Sequence, residues 1–411
     1  MEKEILAALE IADQKVRLLV GQFYNGRLNI LKVEEVAHRG VSSYNIISES
    51  IVVEAIIKAV ENASRNLGVV IEKVIVMLPS VHMQHKTEQR SIPITGRVSE
   101  LDVKRAYREF LEIKAPEDYV LTNVLMTKFF VNGSSTRKLP MNEKCDRLTI
   151  EADLYYGRQS IVFPYLAAVE KSGLKILEIV LDDIAIAKEA SLLEASIDRP
   201  VISYTLGWSM SKMSLYYQGR LLSNDYDASG YEVFMKKLQS ELSVPSDVAE
   251  RLLYHNVNLL EDKPKDDPIF IWSKQAHTKT VSAKDLADVV RDDIKVYIQS
   301  LLDRSEPIFQ LGKPLIVLSG EASVIEGTVP LIEQSVEADV ELYQSISFGA
   351  KHPKFAALLG TFYFYKDYEV YRESTESSAD LEAFKQKVLD YDHIVQEDES
   401  MTQKLKKLFF E

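Results

Sequence analysis

Residues 9–28 and 201–222 share one design, and this repeat restricts the possible folds more than any other feature of the chain. In the later copy, Val201, Ile202 and Tyr204 lead to a turn at Gly207, after which Met213, Leu215 and Tyr217 alternate and Gly219 closes the unit. In the earlier copy, Leu9-Glu10-Ile11 leads to a turn at Ala12-Asp13-Gln14, residues 16–20 form a second strand, and 23–28 close it. Tyr24-Asn25-Gly26-Arg27-Leu28 echoes Tyr217-Gln218-Gly219-Arg220-Leu221. A duplicated strand–turn–strand unit predicts two similar halves facing one another. In folds of that kind the two turns converge on a phosphate, which small residues let approach the backbone N–H groups.

The chain of 411 residues, 46% of them apolar, is long enough for a full core and too long for one compact unit. A net charge of −13 argues against a general nucleic-acid surface, which needs a basic face. A single cysteine, Cys145, excludes an internal disulfide and fits a reducing cytosol. The first residues lack the basic start and apolar run of a signal peptide, and no apolar run approaches the ~20 residues that span a bilayer. A cytosolic chain is expected, unless something tethers it.

Residues 46–67 have helical spacing, with Ile47, Ile51, Ala55, Ile56 and Val60 assigned to one face and Gly68 as the stop. Residues 74–78 read as a short buried strand, completing an α/β layer. From 82 to 96 the sequence becomes charged and alternating, as in exposed strands. Ser99 is placed as the N-cap of a helix through Phe110, and 119–131 and 148–156 read as strands. Residues 84–160 are thus expected to form a small α+β module inserted into the first half. That half resumes with a helix at 160–172, a strand at 176–181 and a helix at 184–195. Beyond the second hairpin, 230–297 reads as mostly helical, with a surface turn at 264–268.

Several segments in this order resemble the FtsA family of bacterial cell-division proteins, a divergent branch of the actin and Hsp70 superfamily. They are Val98-Ser99-Glu100-Leu101-Asp102-Val103, Val131-Asn132-Gly133, Leu139-Pro140-Met141 through Arg147-Leu148, and Ala249-Glu250. Leu318-Ser319-Gly320 with Gly327, and Pro353, Phe355-Ala356-Ala357 and Gly360, complete the set. The resemblance implies an α/β, actin-like fold of duplicated RNase H-like halves, with the α+β module in the first half and a C-terminal amphipathic helix. It places the core of the first half at 1–83 and 161–198, the module at 84–160, and the core of the second half at 199–225 and 307–365. An outer subdomain at 226–306, an acidic spacer with a helical segment at 366–399, and a membrane-binding helix at 400–411 follow. The implied partners are the FtsZ C-terminal peptide, received by the outer subdomain, an anionic membrane surface, and further copies of the chain in a filament or dimer. The implied place is the cytoplasmic side of the cell membrane at the division septum.

The nucleotide-facing loops depart from the family pattern. Glu10 stands for an aspartate, Ala12 for a glycine, Thr205 for an aspartate, and Trp208 for a glycine or small residue. The adenine-side glycines are Gly320-Glu321-Ala322, a lysine has become Leu253, and a glycine-glycine-x-x-x-threonine segment has become Ser229-Gly230 and then Phe234. Together these changes remove metal-organising acids, close-approach glycines and the base-side lysine. Weak or absent ATP/Mg binding is expected, with no catalytic residues. Asp13, Gly207 and Gly320 are either residual phosphate and base contacts or turn residues kept for the hairpin backbone. Trp208 reads as a plug in the old pocket. An active ATPase with unusual loops is one rival; a pilus-assembly scaffold of the same superfamily is another.

Other constellations read as structural. His82 and His85 have metal-ligand spacing but no third ligand nearby, so no metal is expected. Asp182-Asp183 and Asp292-Asp293 resemble paired carboxylates, yet adjacent residues point apart, which favours surface charge or helix N-termini. Lys104, Arg105 and Arg108 form a basic helix face. In the tail, 366–400 carries eleven Asp/Glu against four Lys/Arg. Leu381, Phe384, Val388, Tyr391 and Val395 follow heptad spacing there. The last residues turn basic and amphipathic, with Met401, Leu405, Leu408, Phe409 and Phe410 apolar and Lys404, Lys406 and Lys407 around them.

Overall fold

In the computed structural model, which describes residues 4–24, 26–261, 263–274, 277–372 and 376–379, both hairpins take their expected places. β1 (Glu4–Ile11) pairs antiparallel with β2 (Lys15–Tyr24), and β2 with β3 (Arg27–Ala37). The near-continuous apolar runs of β1 and β2 are buried on both faces, as central strands require. A small hairpin of β4 (Val41–Ser42) and β5 (Asn45–Ile46) leads to α1 (Glu49–Leu67), which stops at Gly68 with φ at 69°. α1 buries Val52, Ala55, Ile56, Ala59 and Ala63, whereas Ile47 and Ile51 are exposed. Ala55, Ile56 and Val60 of the expected face pack on the core, and the correction is confined to its N-terminal end, where Ile47 precedes the helix and Ile51 stands at the solvent edge. β6 (Lys73–Leu78) then joins β1 in parallel.

The module follows as β7 (Gln84–Pro93), α2 (Glu100–Leu111), β8 (Tyr119–Val131), β9 (Ser134–Thr136) and β10 (Arg147–Arg158), with strand order β7-β10-β8-β9. Ser99 caps α2 in a reciprocal capping box with Asp102. Phe110, Phe129, Leu148 and Ile150 fill a core separate from that of the first half. The chain returns through α3 (Gln159–Lys171) and β11 (Lys175–Leu181) to α4 (Asp182–Glu189) and α5 (Leu192–Ala195). The helix expected over 184–195 is broken at Ser191, whose φ is positive at 51°.

The second half repeats the plan with β12 (Val201–Leu206), β13 (Ser211–Tyr217) and β14 (Arg220–Asp227). Its outer part comprises α6 (Glu232–Leu242), α7 (Ser246–Asn256), the hairpin β15 (Pro268–Lys274) and β16 (His277–Ser282), and α8 (Ala283–Leu286). A π-helical stretch, Ala287–Arg291, joins α8 to α9 (Asp292–Phe309). The β15–β16 hairpin corrects the mostly helical reading of this region; its Phe270-Ile271-Trp272 run is β-forming. β17 (Leu315–Ser319), α10 (Thr328–Ser335), β18 (Asp339–Leu342) and α11 (Ala356–Asp367) complete the half. The two sheets run β11-β6-β1-β2-β3 and β14-β13-β12-β17-β18, which is one arrangement used twice.

α11 packs on α4 so closely that a Cβ on Gly360 would stand 1.7 Å from the Ala185 carbonyl oxygen. The acidic spacer does not begin at 366. α11 runs on to Asp367, Tyr368 is buried, and the Ser378 amide donates to the Ile5 carbonyl at 2.8 Å beside β1. The heptad-spaced stretch at 381–395 and the segment 400–411, with all its candidate membrane-binding residues, lie outside the described residues.

Candidate functional site: the cleft between the halves

The turns after β1 and β12 face each other across a cleft whose floor is the ends of β6 and β17. Arg17 and Lys212 hold the same register position in their hairpins: Arg17 pairs with Glu10 across β1–β2, and Lys212 with Thr205 across β12–β13. Both side chains are almost fully buried, at 8% and 3% exposure. A buried cation demands partners, and each finds some in the opposite half. Arg17 reaches over to the Glu321 carboxylate, while its other nitrogens bond Glu10 at 2.9 Å and Glu35 at 3.1 Å. Lys212 Nζ lies 2.6 Å from both Asp182 and Asp183.

Asp182 and Asp183 therefore correct the surface-charge reading. They open α4, where the helix dipole favours carboxylates, but they are turned inward. Asp183 is also held by Ser214 and Asn224, each at 2.8 Å. Asp182 accepts the Ser80 amide at 3.0 Å. Asp293 instead pairs with Lys237 on the surface at 2.6 Å.

Electrostatics follow from this pairing. Burial alone would raise the Glu321 carboxyl, but the Arg17 guanidinium, the Tyr231 hydroxyl and the more distant Lys15 and Lys354 outweigh it and hold its pKa at about 2. Burial pushes Glu10 up, against the pull of Arg17. Burial works to lower Lys212, yet Asp182 and Asp183 prevail and raise it, so the amine stays charged.

Asp13 accepts the Tyr44 amide at 3.1 Å and the Ser209 hydroxyl from the facing turn, so the two turns bond each other directly. Gly207 sits where a Cβ would meet the Met210 carbonyl oxygen at 2.5 Å. Gly320 has φ at 90° and packs on the Leu206 backbone. Asp13, Gly207 and Gly320 thus line one cavity, and each has a demand in the surrounding backbone that accounts for its residue type. The Trp208 ring stands edge-on to Tyr231 with centroids 5.0 Å apart, and Tyr231 meets Tyr254 in the same way at 5.4 Å. Leu253 and Phe234 are buried in the apolar core of the outer part.

What remains is a cavity of about 100 Å³, lined by Glu10, Asp13, Arg17, Trp208, Lys212, Glu321 and their neighbours. Small-molecule sites usually measure about 300–1,000 Å³. Glu10 and Glu321 place two carboxylates on the cavity wall, beside the cations Arg17 and Lys212. Sequence reasoning missed Arg17, Lys212 and Tyr231 as cleft residues. The detectable signal was a cation between two uncharged neighbours at one equivalent position of both hairpins, Val16-Arg17-Leu18 and Ser211-Lys212-Met213.

Away from the cleft, His82 stacks edge-on with Tyr226 and exchanges a hydrogen bond with its hydroxyl, while His85 stacks on Tyr155. Among the described residues no cluster of three or more His, Cys, Asp or Glu side chains is placed to hold a metal ion. On α2, Lys104 pairs with Glu100, and Arg105 bonds the Pro93 carbonyl. No helix among the described residues is long and apolar enough to cross a membrane.

No family model matches the chain. It is 23% identical over 370 residues to the cell division protein FtsA of Bacillus subtilis, covering 88% of this chain and 83% of that one. It is 24% identical over 358 residues to FtsA of Enterococcus hirae, covering 85% and 80%. Among solved structures it matches a chain of the PilM–PilN type IV pilus biogenesis complex with a TM-score of 0.58 at 15% identity, covering 87% of this chain and 97% of that one. It matches ADP-bound MreB5 of Spiroplasma citri with a TM-score of 0.50 at 11% identity, covering 89% and 97%. Over most of its length, this is an actin-fold chain related to the bacterial cell-division protein FtsA.

Proposed function

We propose that the protein is an adaptor of bacterial cell division. In this reading it binds the C-terminal peptide of FtsZ through the outer part of its second half, 226–306. It associates with copies of itself and is held on the inner face of the membrane, at the division septum, by 400–411. Likeness to FtsA over more than four-fifths of the chain is the observation that carries this reading. The likeness to a pilus-complex chain, at 15% identity, speaks for the fold alone and does not favour a pilus role.

Binding rather than turnover is the proposed mode of action. In the cleft, charged pairs already join the two halves. Arg17 bonds Glu321 and Lys212 bonds Asp182 across it, which supports weak or absent ATP binding. Two titrations on the full chain test the function. A labelled FtsZ C-terminal peptide should bind saturably in the absence of nucleotide, and the chain should float with anionic vesicles and be released by removing 400–411. No peptide binding up to about 1 mM, which is only about −4 kcal/mol, would contradict the adaptor reading.

A further inference from the structure

Between β18 and α11 the chain runs Ser345-Ile346-Ser347-Phe348, and its alternation is inverted. Ser345 and Ser347 are buried, at 7% and 4% exposure, while Ile346 and Phe348 stand 93% and 85% exposed. A loop settling on its own protein would turn the large apolar side chains inward. This loop is held the other way out. The Ser347 amide donates to the Ser345 hydroxyl at 3.0 Å, and the Ala350 amide to the Ser347 carbonyl at 3.4 Å. Tyr343 bonds Glu189 at the end of α4, and Gly349, with φ at 90°, lies against Ile30. Lys351 places its ammonium 5.9 Å from the centre of the Phe348 ring.

The loop stands at the end of the first half away from the cleft. α4 starts at the cleft with Asp182 and ends at Glu189, and Ile30 lies near the β2–β3 turn. Residues 377–379 lie on the same end, where the Ser378 amide bonds Ile5 and Ala379 bridges Ile71. Ser378, Ile5, Gln22 and Asn29 lie on successive segments across the sheet, so three strand spacings, about 15 Å, separate Ser378 from the strand that carries Ile30. Val70 and Tyr24, at 69% and 50% exposure, are on that end too.

We propose that the Ile346–Phe348 loop is a second lipid contact, an apolar wedge that enters the headgroup region of an anionic bilayer beside the C-terminal segment. This rests on the membrane reading of 400–411. A convex tip of two apolar side chains with a lysine at its base suits a fluid surface with acidic headgroups; a second protein copy would have to offer a matching pocket. Two weak contacts on one chain reinforce each other, because either one raises the local concentration of the other at the surface.

The test compares full-length chain, I346S/F348S and F348W on vesicles of phosphatidylglycerol and phosphatidylcholine, with chain 1–399 as reference. The double serine variant should lose at least about 10-fold in partition while keeping the wild-type thermal melt, and F348W should bind at least as well as wild type. Partition of I346S/F348S within two-fold of wild type, with 1–399 released, would overturn the wedge and leave the membrane reading standing. Failure of the wild type to bind would overturn both. Unchanged vesicle binding with lost self-association in sedimentation would assign the loop to contacts between copies, against the proposal.

Discussion

The two hairpins of the cleft share register and sheet position, yet their buried cations are partnered differently. Arg17 spreads its guanidinium over three carboxylates, Glu10 and Glu35 in its own half and Glu321 in the other. Two of these have further support: Lys354 lies 2.8 Å from Glu35, and Tyr231 bonds Glu321. Lys212 concentrates a single ammonium on Asp182 and Asp183, both in the opposite half, and no second cation is recorded at that pair among the described residues. Neutral donors reach the acids on this side too, Ser80 at Asp182 and Ser214 and Asn224 at Asp183, so the sites differ in charge: a second cation, Lys354, stands on the Arg17 side and none among the described residues on the Lys212 side. In a low-dielectric cleft, removal of one partner from an ion pair costs more than the pair contributes, because the remaining charge is stranded.

The comparison breaks most visibly at Lys212. Lys212→Met should destabilise the fold by about 3–5 kcal/mol in denaturant unfolding, as expected when a buried pair loses its partner. A loss under about 1 kcal/mol would mean that Asp182 and Asp183 are solvated in solution. Arg17→Met should cost less, about 2–3 kcal/mol, because Lys354 and Tyr231 still hold two of the three acids. If the two substitutions changed places in rank, the second cation would not be what separates the sites.

Glu321→Gln should cost about 2 kcal/mol near neutral pH, since Tyr231 keeps a partner while Arg17 loses a charge. It also sharpens the pH dependence. The Glu321 carboxyl lies at about 2 in the folded chain against an ordinary 4.5, so its contribution is complete above 4.5 and vanishes as pH falls toward 2. The stability gap between wild type and Glu321→Gln should therefore narrow as pH drops below 4.5. A gap that stays constant down to pH 3 would remove Arg17 as the cause. The smallest effect is expected at Trp208, which is half-buried: Trp208→Ala should cost ~1 kcal/mol and should not restore ATP binding, because Glu10 and Glu321 still face the cavity.

Much of this molecule was legible in the sequence because it rests on local periodicity. Alternating apolar residues and turn glycines marked both hairpins, and Ser99 with Asp102 marked the start of α2. The likeness to FtsA rested on ordered short segments, and curated relatives bear it out. Partners distant in sequence were not legible. Asp182 and Asp183 look like any acidic helix start until Lys212 is brought to 2.6 Å from both. Glu321 was placed facing the nucleotide site, but its partner, Arg17, is 304 residues away. The apolar stripe of α1 was legible at Ala55, Ile56 and Val60 but not at its start, because spacing alone does not say that the helix begins at Glu49, beyond Ile47. The serine-in, isoleucine-out alternation at 345–348 was equally hidden, since the letters alone do not say which way a strand-like loop turns.

The central claim is that the chain closes its cleft with its own charges. Calorimetric titration of the purified full-length protein with Mg-ATP tests it most directly. A cleft locked by Arg17–Glu321 and by Lys212 on Asp182 and Asp183 should show no binding tighter than about 1 mM, equivalent to about −4 kcal/mol. Stoichiometric binding at micromolar ATP would contradict it, because the nucleotide would then have displaced the pairs that fill the site.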